Sequence, residues 1–255
     1  MHLHYKTYGS GHPLIILHAL FGSLNNWQTM SKKFGERFRV FAVDQRNHGG
    51  SPHSNVHNYQ ALAEDLHGFM HEHGISSSHL LGHSMGGKTA MQFALRFPEK
   101  TDSLIVVDMV PKTYRGGHDD IIDALSAINL SRFSSRKEIN DALSGSIPDV
   151  SVREFLLTNV TRDKSGRFTW KMNLNSIRKN YSEISKGVET HGVFEKPTLF
   201  IAGGKSGYIK DEDKNLLKRM FPRSRITTID AAGHWVHAEA PEEFARVVLD
   251  FLQLQ

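Results

Sequence analysis

The chain has 255 residues and a formal net charge of +4, with 16 histidines, 21 glycines and no cysteine. That length suits one large domain or a domain with an insertion, and the missing cysteines exclude disulfides, thiolate catalysis and iron–sulfur ligation. No apolar run approaches the roughly 18 residues of a membrane helix, the N-terminus has no leader pattern and so reads as cytoplasmic, and basic residues without interleaved aromatics argue against nucleic acid.

Short apolar runs rich in Val, Ile and Phe alternate with helical patterns. LHYKTYG (3–9) reads as an added edge strand, paired antiparallel through a turn at Gly9–Gly11. PLIILH (13–18), FRVFAVD (38–44), HLLGH (79–83), SLIVVD (103–108), PTLFIAG (197–203) and RITTID (225–230) follow. Most lack polar alternation, as strands covered on both faces of a parallel sheet do. Between them, 58–74 predicts a helix ending at Gly74. In 86–97, Ala90, Phe93, Ala94 and Phe97 share one face, and Pro98 closes the run. The segment 240–254 has Pro early and acidic residues in its first turn, a helix start. Alternating strands and helices predict a doubly wound α/β sheet.

From Pro111 to about Lys196 the alternation stops. DDIIDALSAINL, SRKEINDALSG, VREFLLTNV and LNSIRKNYSEISKG predict helices, and only GRFTWKMN could be extended. Residues 111–196 therefore read as a helical cap inserted after the strand ending at Asp108, on a core of 1–110 and 197–255. Such an insertion lies over the carboxyl ends of the strands, where open α/β sheets place their sites. The cap aromatics Phe155, Trp170 and Tyr181 read as core rather than pocket lining.

Gly82-His83-Ser84-Met85-Gly86 is a G-x-S-x-G pattern. With so many glycines the pattern alone is weak, but here a strand precedes it and a helix follows. That context makes Ser84 the candidate nucleophile on a strained turn, facing the amides that open the helix. His234, in AAGHWVHAE directly after the last strand, is the candidate base, and His237 reads as polar support or packing. The acid is Asp108, ending SLIVVD, or Asp211, in IAGGKSGYIKDED, with Asp108 favoured; Asp44 precedes the serine and is out of order. Met85 and Leu20, with Phe21 next, are the candidate oxyanion amides. Phe21, Met109, Tyr208 and Trp235 adjoin these positions and are the substrate-binding candidates. GGKS (203–206) lacks the glycine that a phosphate loop needs at 199, which is Leu199. The pairs His2/His4, His71/His73 and His234/His237 have ligand-like spacing without a third ligand, so no metal is expected.

HALFGSLNNW, DQRNHGGS, GHSMGGK, VVDMVP, GGKSGYI and GHWVHAE occur in this order. Through them the chain resembles the α/β-hydrolase superfamily over its whole length, and most of all the small bacterial esterases of the YbfF type. The resemblance implies an α/β-hydrolase fold: a mostly parallel sheet flanked by helices, with a cap. It implies a cofactor-free serine hydrolase whose partner is a small acyl ester or acyl thioester. It also implies that Asp108 is the triad acid and that Ser206 lies beside the catalytic histidine. Ala19 departs from the glycine usual there, which bears on the oxyanion loop. Perhydrolysis and carbon–carbon bond cleavage use the same triad on this fold. A non-catalytic ligand receptor is the competing class. Ser84 argues against the aspartate-nucleophile haloalkane and epoxide hydrolases.

Overall fold

The structure is a computed structural model and describes residues 1–114, 116–189 and 192–254. The N-terminal part runs β1 (Tyr5–Tyr8), β2 (Pro13–Leu17), α1 (Gln28–Phe34), β3 (Arg39–Val43), α2 (Tyr59–Glu72), β4 (Ser78–His83), α3 (Met85–Arg96) and β5 (Thr101–Val107). The insertion holds α4 (Asp119–Ala127), α5 (Arg136–Leu143), α6 (Val150–Leu157), β6 (Val160–Arg162), β7 (Phe168–Trp170), α7 (Leu174–Lys179) and α8 (Tyr181–Ser185). The chain then returns through β8 (Thr198–Gly203), α9 (Lys214–Met220), β9 (Ser224–Ile229), α10 (Val236–Glu239) and α11 (Pro241–Leu252). Among the described residues no helix is long and apolar enough to cross a membrane.

Seven strands form one sheet in the order β1-β3-β2-β4-β5-β8-β9. All neighbours are parallel except β1, which runs antiparallel. The edge strand does not pair through the turn at Gly9–Gly11 as expected. It pairs with β3, Tyr5 opposite Val43 and Tyr8 opposite Val40. The reason is topological: β2 has β3 on one side and β4 on the other, so it offers no free edge. Gly9 makes the detour at φ 69°, where a Cβ would lie 1.9 Å from the Gly35 carbonyl oxygen.

Successive side chains of a strand point to opposite faces. In β2, Ile15 and Leu17 join a core with Phe69 and Phe93 under α2 and α3. Leu14 and Ile16 join the opposite core with Phe34 and Phe244 under α1 and α11. All six residues of β4 are buried, which explains why it lacks polar alternation. The helices start and stop where their ends can be satisfied. The Asn58 side chain accepts the Ala61 N–H at 2.9 Å to open α2, and Gly74 turns away at φ 63°.

The insertion is mostly helical but not wholly so. VREFLLTNV leaves the helix at Leu157, because the Asn159 side chain donates to backbone carbonyls of Phe21 and Leu156. The next residues form a hairpin with the GRFTW segment, Val160 opposite Trp170. The stretch 174–187 breaks at Asn180, whose amide ties to the carbonyls of Asn55 and Ser176. A third apolar cluster joins the insertion to Leu20, Phe21 and Met85 at the end of the sheet.

Two glycines separate packing from propensity. At Gly86 a Cβ would lie 2.3 Å from the Leu17 carbonyl oxygen; at Gly68, within α2, nothing lies within 4 Å. Gly86→Ala is expected to destabilise by about 1–3 kcal/mol, and Gly68→Ala to stabilise by about 0.5–1 kcal/mol. Urea midpoints check this, and a Gly86→Ala midpoint at or above that of Gly68→Ala would contradict the packing described.

Buried histidines set an acid limit. Burial lowers the pKa of His18, His48 and His83, takes His57 and His237 down to about 3, and takes His79 down to about 4. These side chains are neutral in the folded protein, whereas the unfolded chain takes up their protons near the ordinary value of about 6.5. The unfolded state then binds more protons below that value, so stability falls as pH drops. The loss reaches up to about 1.4 kcal/mol per pH unit for each histidine. Urea midpoints are expected to fall steadily from pH 7 to pH 5, and a flat profile would refute the neutral buried cluster.

Candidate active site

β4 passes into α3 through the single residue Ser84. Its φ of 52° and ψ of −115° are unusual for a serine. Crowding makes the flanking glycines necessary. A Cβ at Gly82 would lie 2.2 Å from the Gly86 carbonyl oxygen, and one at Gly86 would strike the end of β2. The Ser84 N–H is pinned to the Val107 carbonyl at 3.1 Å. Ser84 therefore sits rigidly at the positive end of α3.

Asp108 follows β5 directly, at φ 46° and fully buried. Its N–H donates to the Ile201 carbonyl at 2.8 Å. Its Oδ1 accepts the Gly203 N–H at 3.1 Å, and its Oδ2 faces His234 Nδ1 at 2.7 Å. The Ser206 hydroxyl donates to the same Oδ2. An imidazole that donates from Nδ1 presents a basic Nε2. The Tyr208 ring stacks on His234 at 4.2 Å, and His83 Nε2 donates to the His234 carbonyl at 2.8 Å. The loop carrying His234 is closed by Glu239, whose carboxylate accepts the N–H groups of Gly233 and Trp235 at 2.8 and 3.2 Å.

The other acids are engaged elsewhere. Asp211 is exposed and pairs with Lys214 at 2.7 Å. Asp44 accepts the Leu24 and Gly50 N–H groups and contacts His4. His237 stacks on Trp27 with ring centroids 4.1 Å apart. Among the described residues no three His, Asp or Glu side chains gather as metal ligands do.

In the loop after β2 the two candidate amides, Leu20 and Phe21, differ. Phe21, at φ 61°, gives its N–H to His48 Nε2 at 3.2 Å. His18 Nε2 accepts the Gln45 N–H at 3.0 Å, and the Gln45 side chain returns a bond to the His18 carbonyl at 2.7 Å. Phe21 is thus committed, while the Leu20 N–H has no partner among the described residues. The Met85 N–H opens α3 and has no helical carbonyl behind it. Ala19 does not have a positive φ, so its methyl group carries no left-handed backbone strain. Its carbonyl accepts the Gly22 N–H at 2.9 Å.

Two cavities meet at Ser84. The one that His234 reaches, termed outer for its place beside the base, measures about 190 Å³ and is lined also by Phe21, Trp235, Tyr208, Phe155 and Val152. The inner, about 40 Å³, is lined by Leu20, Met85, Met109, Tyr59, Tyr181 and Lys88. Phe155 and Tyr181 pack on the cap core and also line these cavities, a role not expected for them from the sequence. Trp170 lines neither cavity. The sequence reading also missed His48, Lys88 and Glu239. Glu239 lies within GHWVHAE, but only the fold shows that its carboxylate closes that loop.

A family model for the alpha/beta hydrolase fold matches residues 12–121. The sn-1-specific diacylglycerol lipase ABHD11 of Mus musculus is 38% identical over 247 residues, which are 94% of this chain and 80% of that protein. Esterase YbfF of Escherichia coli is 32% identical over 94% of this chain and 92% of its own. A solved structure, a marine microorganism esterase, is 42% identical, with a TM-score of 0.96 over 98% of both chains. Homology of this extent to esterases and lipases supports a general serine-hydrolase esterase activity. The chain belongs to the α/β-hydrolase superfamily, where it resembles small bacterial esterases such as YbfF.

Proposed function

We propose that the chain is a serine carboxylesterase that cleaves short acyl esters through an acyl-enzyme. One observation carries this reading: His234, bonded to a buried Asp108 at 2.7 Å, lines the same cavity as Ser84. His234 Nε2 takes the Ser84 proton as Oγ attacks the ester carbonyl. Asp108 stays ionised and stabilises the imidazolium. The Leu20 and Met85 N–H groups hold the oxyanion, and His234 returns the proton to the leaving alkoxide. Water, activated by the same histidine, then releases the acid. Because His234 must reach the leaving oxygen, the alcohol occupies the outer cavity and the acyl chain the inner one. The small inner volume, about 40 Å³, favours short acyl chains.

Two outcomes test this reading. Ser84→Ala is expected to fold normally and to lose at least about 10³ in kcat; retention of a tenth of the activity would exclude Ser84 as nucleophile. On p-nitrophenyl esters from C2 to C16, kcat/KM is expected to peak between C2 and C6, and a peak at C12 or beyond would refute a closed acyl pocket.

The supporting residues form a graded series. Asp108→Asn is expected to lower kcat/KM at least about 10²-fold, since it removes the charge and keeps the shape. Ser206→Ala, which removes one neutral donor, is expected to lower it about tenfold. Asp211→Asn is expected to be silent. Circular dichroism excludes unfolding, and if Asp211→Asn proves the most damaging, the assignment of Asp108 is wrong.

A further inference from the structure

Ser84 and Lys88 line the same inner cavity. Lys88 lies one turn beyond Ser84 on α3, its N–H bonded to the Ser84 carbonyl at 3.1 Å. Side chains four apart share a helix face and lean toward the helix N-terminus, so the amine rises on the Ser84 side. Lys88 is only 2% exposed. Its Nζ donates to the carbonyls of Ser185 (3.3 Å) and Lys186, and lies 5.5 and 5.0 Å from the ring centres of Tyr59 and Tyr114.

An ammonium has three protons, and these contacts use two. None of the neighbouring tyrosine hydroxyls takes the third proton from Lys88, whose bonds go to the two carbonyls alone. Tyr59 donates to Ile184, Tyr114 to Tyr208 and Tyr181 to Gly116, each to a carbonyl. Among the described residues no carboxylate pairs with Lys88. Asp213, beyond Tyr114, is held by Lys112, and Asp108 by its three donors. Burial without a counter-charge pulls the amine down to about 7. Anchoring the end of α8 needs a donor, not a buried amine that lines the cavity of Ser84.

We propose that Lys88 closes the acyl pocket and selects acyl chains with a carboxylate at their far end: half-esters of short dicarboxylic acids. This rests on the esterase reading, with the acyl chain in the inner cavity. The terminal carboxylate supplies the missing counter-charge in a charge-assisted bond shielded from water. A neutral chain of equal length makes no such bond, and the buried amine sheds its proton.

The test compares ethyl hydrogen succinate, glutarate and adipate with ethyl butanoate, pentanoate and hexanoate at pH 7, by the ethanol released. At least one half-ester is expected to exceed its neutral partner at least tenfold in kcat/KM. Lys88→Met is expected to reduce that ratio at least tenfold, and Lys88→Arg to keep its direction. Neutral esters equal or better at every length, or an unchanged ratio in Lys88→Met, would overturn the proposal while leaving the esterase reading intact. A second readout needs neither turnover nor that variant. In Ser84→Ala, glutarate is expected to raise Tm more than butanoate does, and no difference among succinate, glutarate, adipate and butanoate would overturn the proposal. If neither ester class is hydrolysed by the unmodified protein, the esterase reading fails, and the thermal shift alone decides whether Lys88 binds carboxylates.

Discussion

A carboxylate with no exposure to water must find its donors within the protein. Asp108 finds them on three separate stretches of chain: Gly203 at the end of β8, Ser206 in the loop beyond it, and His234 after β9. The end of β5 is thereby bound to the ends of both strands beyond it in the sheet. The approach is close enough that a Cβ on Gly203 would lie 2.0 Å from the Gly233 carbonyl oxygen. Ser84 and Asp108 both sit at positive φ. Their backbones are held by neighbouring strands, Ser84 by Val107 and Asp108 by Ile201. Strain of this kind persists only where the surroundings over-determine it. The sheet supplies that rigidity, and the loops built on it inherit their positions.

A second constraint acts on the other side of Ser84. The loop from Ala19 to Gly22 is tied down by His18 and His48, each accepting a backbone N–H through Nε2. Only a neutral imidazole can accept, and burial keeps both neutral. The same burial that makes the fold sensitive to acid therefore holds the loop in place. The cap adds weight from above, where the Asn159 amide grips the Phe21 carbonyl at 2.6 Å. One carboxylate and two neutral histidines thus divide the positioning, with Ser84 between them.

Much of this was legible in the sequence because burial on both faces leaves a direct mark. β2, β4, β5 and β8 lack polar alternation, and Gly82 and Gly86 mark a turn too tight for any other residue. The partner of β1 was not legible, since a local turn suggests a hairpin while the free edge belongs to β3. The hairpin in the cap was hidden because residues 158–160 continue a helical pattern, and only the contact of Asn159 with Phe21 ends it. Asp108 and Asp211 could be ranked by chain position, but only the fold shows one enclosed by donors and the other in solvent. Lys88 looked like one basic residue among many. Its burial depends on α8, about a hundred residues later in the chain.

The central claim is that Asp108 and His234 act on Ser84 as one unit. A fluorophosphonate probe tests it most directly, because it reacts with an activated serine and does not depend on the natural substrate. The account requires a single adduct, mapped by mass spectrometry to Ser84, formed at least about 10² times more slowly in folded Asp108→Asn. An adduct on another residue, or an undiminished rate in Asp108→Asn, would contradict it.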